Sequence, residues 1–257
     1  MPEFTFPDRP NRVHLFVTCV VDQFFPEVGE AVVRTLRALG DEVHFNTAQT
    51  CCGQPAFNSG YWNEAKPLAR RLLSQYDGSE PVVVPSGSCA AMIRNYYHEL
   101  FAGDPVNQRR AERLSQNVYE FTEYLAERTD AARLDELFGS GKLDSKVAFH
   151  EACHAKRELG VDAQPKALLD RIADRAELPQ AEVCCGFGGT FSVKYPDISG
   201  AMLSDKLDNI EASGADVVTA CDSSCLMHIR GGLRRRGSNV SVAHIAELVA
   251  AGLEGRE

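Results

Sequence analysis

The sequence predicts an α/β protein of two similar lobes, each a short parallel sheet flanked by helices. Short apolar runs alternate with segments of helical periodicity, and this alternation is typical of a parallel sheet covered by helices. One pattern of cysteines also occurs twice, about 133 residues apart, which indicates two copies of one supersecondary unit. We therefore expect the lobes to be related by a pseudo-twofold axis, with both cysteine-bearing edges facing one cleft.

The first lobe is expected to alternate strands and helices along its length. Residues 12–18 are rich in β-branched and aromatic residues, as buried strands are, and 42–45 and 81–85 are predicted as two further short strands. Apolar residues recur with helical spacing over 27–39 and 64–75, which predicts a helix in each range. Each cysteine group would then follow a strand or begin a helix, where open α/β sheets bind their ligands.

The repeat divides the chain into a first lobe over 1–103, a helical connector over 104–145 and a second lobe over 146–257. Residues 1–11 are expected to form a loose arm, and Gly139-Ser140-Gly141 is expected to close the connector. In the second lobe we predict strands at 146–150, near 181–183, at 216–220 and at 240–242, and helices over 165–175 and 197–212, from about 223 and from about 244.

Composition and charge argue against several functions. The formal net charge of −9 over 257 residues argues against nucleic-acid binding, which requires a basic face. No run approaches the roughly 18 consecutive apolar residues of a membrane helix, and the N-terminal residues lack a signal-peptide core. We therefore expect a cytoplasmic protein without membrane insertion. In a reducing compartment, nine cysteines indicate metal binding or redox work rather than disulfides.

The cysteines follow the same order in both lobes. A single cysteine is followed by an adjacent pair after 31 or 32 residues, and a further cysteine comes 37 or 40 residues later. The pair is followed by glycine in both lobes, which permits a sharp backbone turn. Backbone N–H groups in such a turn can point at a thiolate or sulfide. The candidate ligands are Cys19, Cys51, Cys52 and Cys89 in the first lobe and Cys153, Cys184, Cys185, Cys221 and Cys225 in the second.

Sulfur ligands favour soft metals and leave zinc and iron–sulfur clusters as candidates. A structural zinc site usually has two close cysteine pairs with two to four residues between the members of a pair. Cys221 and Cys225 fit that spacing, but the adjacent Cys184 and Cys185 do not. Five cysteines also exceed the four ligands of zinc, so a polynuclear iron–sulfur centre is favoured. The Cys-x-x-Cys of thioredoxin-like catalysts is absent from the sequence.

The two lobes are expected to differ. Aligning Cys89 with Cys225 places Pro85 opposite Cys221, so the first lobe has one cysteine fewer. We expect the second lobe to hold its cluster more firmly and the first to hold a smaller or labile cluster, or none. The nearest oxygen donors in the first lobe are Ser86 and Ser88.

The doubled cysteine pattern resembles the cysteine-rich CCG domain found in heterodisulfide reductase and in the glycolate oxidase iron–sulfur subunit. A closer resemblance is to the L-lactate utilisation protein A family, and it runs from about residue 12 to 250. The motifs that carry it are Thr50-Cys-Cys-Gly-Gln-Pro-Ala-Phe-Asn-Ser-Gly60, Pro85-Ser-Gly-Ser-Cys89, Cys153-His-Ala-Lys-Arg-Glu-Leu-Gly160 and Cys184-Cys-Gly-Phe-Gly-Gly-Thr-Phe-Ser-Val-Lys194.

This resemblance implies an iron–sulfur electron-transfer subunit that works with two partner proteins in oxidising L-lactate to pyruvate. The heterodisulfide reductase relative implies noncubane four-iron four-sulfur clusters with five cysteine ligands. The sequence departs from that relative in two ways. Three residues rather than two separate Cys221 from Cys225, and Pro85 replaces one ligand of the first lobe.

Other residues of the motifs are candidates for supporting roles. Gly186, Gly188 and Gly189 are expected to shape the loop around a cluster, and His154 to donate a hydrogen bond to a thiolate and tune its potential. His150 is more readily explained as a structural histidine. Lys194 and Arg157 could hold a carboxylate substrate, although ordinary surface cations are the simpler explanation.

Two other functions stay open at this point. One is a non-catalytic assembly protein that is held together by structural metal or disulfides. The other is a stand-alone thiol oxidoreductase, which would need an exposed cysteine of low pKa. No Gly-x-Gly-x-x-Gly follows a predicted strand, so the sequence does not indicate a nicotinamide or flavin site.

Overall fold

The computed structural model describes residues 12–76, 79–139 and 142–254. The expected N-terminal arm and most of the glycine-flanked end of the connector lie outside these residues. The described chain forms two sheets of four strands. The strands are β1 (Arg12–Leu15), β2 (Glu42–Phe45), β3 (Val82–Val84), β4 (Val118–Glu120), β5 (Lys146–Phe149), β6 (Asp174–Ala176), β7 (Val217–Ala220) and β8 (Ser241–His244).

Helices connect the strands and cover the sheets. They are α1 (Cys19–Phe24), α2 (Pro26–Ala38), α3 (Gln54–Asn58), α4 (Trp62–Gln75), α5 (Gly87–Ala91), α6 (Tyr97–Leu100), α7 (Pro105–Ser115), α8 (Phe121–Arg128), α9 (Ala131–Phe138), α10 (Ala163–Ile172), α11 (Phe191–Lys194), α12 (Pro196–Ala212), α13 (Ser223–Arg236) and α14 (Ile245–Glu254). Two π-helical segments, Met92–Tyr96 and His154–Leu159, complete the set.

The two sheets have the same topology. Their strand orders are β2-β1-β3-β4 and β6-β5-β7-β8, and every neighbouring pair is parallel. The valines of β3 are buried throughout, as expected for a strand that helices cover on both faces. The predicted fold class, two α/β lobes with parallel sheets, is confirmed.

Two predicted elements are wrong. The connector is not wholly helical, because residues 118–120 form β4 and pair with β3 as the fourth strand of the first sheet. The second strand of the second lobe is β6 rather than residues 181–183, and it replaces the end of the helix predicted over 165–175. β6 is a short edge strand with two exposed polar residues, Asp174 and Arg175, so its hydrophobic pattern is weak.

A shared hydrophobic core joins the lobes. Its buried residues come from both sheets, including Leu15 and Val83 of the first and Val147 and Phe149 of the second. Helix α14 of the second lobe packs on α2 of the first, and α8 packs on α10. In each case the helix after a fourth strand packs on the helix after the first strand of the other sheet. This reciprocal exchange is what a pseudo-twofold axis produces.

A short backbone contact marks the centre of that arrangement. Ser86 and Asp222 form an isolated antiparallel bridge, and the backbone N–H of Gly87 donates to the carbonyl of Cys221 at 3.1 Å. Ser86 and Asp222 hold equivalent places in the repeat, three residues before Cys89 and Cys225. Antiparallel pairing of equivalent residues is expected beside a twofold axis, so the carboxyl ends of β3 and β7 meet there.

The same junction requires a glycine at position 87. A Cβ on Gly87 would lie 2.6 Å from the Cβ of Ala155 and 3.0 Å from its Cα, because α5 packs directly against the π-helical segment of the other lobe. We expect Gly87→Ala to lower the free energy of unfolding by about 1–3 kcal/mol through overpacking. Chemical denaturation measures the effect.

The matched control is Gly231→Ala, in α13, where an added Cβ meets nothing within 4 Å. Alanine has the higher helix propensity, so this variant is expected to gain up to about 1 kcal/mol of stability. A Gly87→Ala protein as stable as the wild type would contradict the close approach of the two lobes.

Candidate metal centre

Eight of the nine cysteines line a single cavity between the lobes. The cavity lies beyond the carboxyl ends of the central strands, where the loops after β1, β3, β5 and β7 converge. The expectation that both cysteine-bearing edges face a shared cleft is therefore confirmed. All nine cysteines are free in the structure. The cysteines at the cavity are Cys19, Cys51, Cys52 and Cys89 from the first lobe and Cys153, Cys184, Cys185 and Cys225 from the second.

The first-lobe group is held by a turn at Gly53. This residue has a φ of 88°, in the left-handed region that favours glycine, and its backbone N–H donates to Cys51 Sγ at 3.3 Å. Cys52 Sγ lies 3.3 Å from Cys89 Sγ, and the Tyr97 hydroxyl donates to the Cys52 carbonyl at 2.8 Å. The turn thus directs two adjacent side chains to one group of sulfurs.

The second-lobe group is built in the same way around Gly186. Its φ is also 88°, and its backbone N–H donates to Cys184 Sγ at 3.4 Å. A Cβ at this position would lie 2.6 Å from the carbonyl oxygen of Ser199, so only glycine fits. Gly188 and Gly189 line the cavity, whereas Gly186 does not. The predicted turn with N–H donors to sulfur is present in both lobes.

Hydrogen bonds between the thiols favour one thiolate in each group. The Cys19 thiol donates to Cys51 and lowers the pKa of Cys51 to about 3, with a further contribution from Cys52. The pKa of Cys184 is lowered to about 2, chiefly by the thiol of Cys153. The pKa of the donating thiol shifts in the opposite direction. The hydrogen bond to Cys51 and burial both raise the pKa of Cys19. The arrangement in each group therefore favours a thiolate that accepts hydrogen bonds from neighbouring S–H groups.

Cys221 is the one cysteine that the structure does not bring to the cavity. It is fully buried in the shared core, and its sulfur lies 4.0 Å from Thr122 Oγ1. Burial, and the nearby carboxyl of Glu120, raise its thiol pKa well above the usual value. The second lobe thus brings four of its five expected cysteines to the cavity. Because Cys221, the residue aligned with Pro85, does not reach the cavity, both lobes place four cysteines there.

Of the two histidines near Cys153, His154 lies as expected and His150 does not. His154 lines the cavity, with its Nδ1 3.7 Å from Cys153 Sγ. His150, expected to be merely structural, is 1% exposed, and one ring nitrogen lies within 4.8 Å of the sulfurs of Cys185 and Cys225. Burial, and the charge of Lys206, lower the pKa of His150 to about 4. The sequence feature that could have indicated this place for His150 is its position directly after β5 and close to the Cys153 motif.

Ser86 and Ser88, the expected oxygen donors of the first lobe, form hydrogen bonds at the junction between the lobes. Ser86 caps α5 by accepting the N–H of Cys89 at 3.3 Å. Ser88 donates its backbone N–H to Asp222 Oδ2 at 2.8 Å and its hydroxyl to Oδ1 at 3.2 Å. Sequence reasoning missed Asp222, a buried carboxylate that connects the two cysteine groups.

Neither cation proposed to hold a carboxylate substrate lies at the cavity. Lys194 Nζ lies over the ring of Tyr61, 5.6 Å from its centroid. Arg157 is exposed and donates to the carbonyl of Glu182 at 3.2 Å. Among the described residues that line the cavity, none is a lysine or an arginine.

Comparison with known proteins agrees with the repeat. The family model for the cysteine-rich CCG domain matches twice, over residues 13–94 and 147–230. A protein named lactate utilization protein A 2 from Bacillus cereus is 44% identical over 244 residues, which cover 94% of this chain and 99% of the relative. The chain belongs to the lactate utilization protein A family. A Bacillus anthracis relative is 43% identical with the same coverage, and one from an Exiguobacterium species is 44% identical over 95% of this chain and 99% of its own.

Within residues 12–76, 79–139 and 142–254 of this lactate utilization protein A family member, no helix combines the length and the apolar character that crossing a bilayer would need.

The thiol chemistry of this family member predicts a pattern of reactivity. In the reduced, metal-free protein, iodoacetamide should modify Cys51 and Cys184 at least about tenfold faster than Cys221, because the thiolate is the nucleophile and Cys221 is fully buried. The rate at these two positions should fall less between pH 8 and pH 6 than the rate of an ordinary thiol, because their pKa values are lowered by hydrogen bonds from neighbouring thiols. Peptide mass spectrometry measures each site, and equally fast modification of Cys221 would contradict the arrangement.

Proposed function

We propose that this protein is an iron–sulfur electron-transfer subunit that acts with two partner proteins in the oxidation of L-lactate to pyruvate. The observation that carries the proposal is the convergence of two four-cysteine groups on one cavity. The relatives are named for lactate utilization, which supports lactate as the substrate of the system. We further propose that the protein works in the cytoplasm.

The donor set fits an iron–sulfur cluster in each lobe. Every group offers four sulfurs, and iron–sulfur clusters are held by cysteine thiolates. Four sulfurs would satisfy zinc by number, but adjacent cysteines such as Cys184 and Cys185 are poor ligands for one tetrahedral ion. The N–H donors of Gly53 and Gly186 also match the hydrogen bonds to sulfur that tune cluster potentials.

In this proposal Cys19, Cys51, Cys52 and Cys89 hold one cluster, and Cys153, Cys184, Cys185 and Cys225 hold the other. A bound cluster supplies one-electron transfer. The chain's own residues exclude water from the buried sulfurs of Cys52 and Cys185 and hold the ligand loops in place through glycine turns. We propose four-iron four-sulfur clusters, with a noncubane form as the alternative suggested by the CCG-domain resemblance.

The absence of a cation among the described cavity residues supports lactate binding on a partner. A lactate carboxylate is best held by an arginine or lysine, and the cavity lining contains neither. Exposed apolar side chains beside the cavity offer a docking surface for such a partner. Tyr61 is 54% exposed, Val193 80% and Tyr195 54%, and a 2.7 Å contact between Ser59 and Thr190 joins the two lobes there.

The ligand assignment predicts which cysteines are needed for iron. After anaerobic reconstitution, the wild type should bind iron and sulfide, with about four irons per cluster. Cys52→Ser and Cys185→Ser should each lose about half of the iron, because each removes a ligand of one group. Cys221→Ser is the matched control and should keep the full content, since its sulfur lies away from the cavity. Colorimetric iron and sulfide analysis measures all four proteins.

Stoichiometric zinc without iron in the wild type would contradict the proposal. It would favour instead a non-catalytic assembly protein with structural metal. Loss of iron from Cys221→Ser equal to the loss from Cys185→Ser would show that the ligand assignment is wrong.

A further inference from the structure

His150 occupies a fixed position beside the second-lobe cysteines. It directly follows β5, and its backbone N–H donates to the carbonyl of Thr219 in β7 at 2.8 Å. The next residue is tied to the loop that leads to the cysteine pair, because Glu151 donates its N–H to the carbonyl of Ala181 at 3.2 Å. The imidazole is therefore held between two strands and the loop that carries Cys184 and Cys185.

One ring nitrogen of His150 and the sulfurs of Cys185 and Cys225 all lie within 4.8 Å of one another. His150 Nδ1 is buried and has no hydrogen-bond partner among the described residues, while the ring also interacts with the carbonyl of Ala181. A buried polar atom without a partner costs free energy. Ligation of a metal would offset that cost, and imidazole combined with thiolate is a donor set that suits iron and zinc.

The first lobe has no equivalent of this histidine. His150 stands three residues before Cys153, and the residue three before Cys19 is Phe16, which is fully buried and apolar. Both residues directly follow the first strand of their sheet, so they hold equivalent places.

A buried lysine strengthens the same contrast. Lys206 in α12 donates from Nζ to the carbonyls of Gln180 at 2.7 Å and Ala181 at 3.2 Å. With the offset of 133 residues between the two cysteine pairs, the corresponding position in α4 is Leu73. The second lobe therefore places an imidazole and a cation near its sulfurs, where the first lobe has apolar side chains.

We propose that His150 is a nitrogen ligand of the second-lobe metal centre, so that this centre has five protein donors and the first-lobe centre has four. This inference rests on the proposed function, because it takes an iron–sulfur cluster as the occupant. His150 supplies the fifth donor that Cys221 was expected to supply.

The test is pulsed electron paramagnetic resonance on the reduced, anaerobically reconstituted protein, with one sample grown on ¹⁵N-histidine. The wild type should show a strongly coupled nitrogen that changes with the isotope. His150→Phe, which copies the first lobe, should lose that coupling. His154→Phe is the matched control and should keep it, since that ring lies 3.7 Å from Cys153 Sγ as a neighbour of the sulfur.

The outcomes separate this inference from the proposed function. A wild type that holds two clusters but shows only weak nitrogen coupling, as a hydrogen-bonded histidine would, overturns the ligand assignment alone. Loss of the coupling in His154→Phe instead of His150→Phe overturns it as well. A wild type that binds no iron overturns both the inference and the proposed function. The isotope experiment uses unmodified protein, so a His150→Phe variant that fails to fold leaves the test decisive.

Discussion

The structure depends on the crowding of eight sulfurs in one cavity between two lobes. Thiolates this close repel each other, which restricts how many can be charged without a metal, and hydrogen bonds from neighbouring S–H groups lower the pKa of Cys51 and of Cys184. Bound metal removes that restriction, because its positive charge allows several thiolates to coexist. Part of the metal-binding free energy is then available to hold the lobes and their loops together.

The backbone around the cavity is shaped to maintain this crowding. The two glycine turns aim adjacent cysteines at one point, and the antiparallel contact between Ser86 and Asp222 brings the ends of β3 and β7 together. The helices exchanged between the lobes bury a common core behind the cavity. The lobes thus act as one body, and the space for metal is defined by both.

The repeat made most of the fold predictable, because the cysteine groups and the apolar runs recur with the same spacing and so indicate where most of the strands lie in each lobe. The short strands β4 and β6 were missed, since three residues carry too little pattern and β6 is polar at an exposed edge. Of the nine cysteines predicted as ligands, eight line the cavity and Cys221 does not. The side chain of Cys221 points into the core rather than the cavity. The local backbone direction at this residue determines which way it points, and the spacing of the cysteines in the sequence does not report that direction. The place of His150 likewise depends on tertiary packing.

The most direct test of the central claim is an iron-edge anomalous difference map from anaerobically grown crystals of the reconstituted protein. The account predicts two separate sites of anomalous density, one within the group of Cys19, Cys51, Cys52 and Cys89 and one within the group of Cys153, Cys184, Cys185 and Cys225. Density beside Cys221, or iron in neither group, would contradict it.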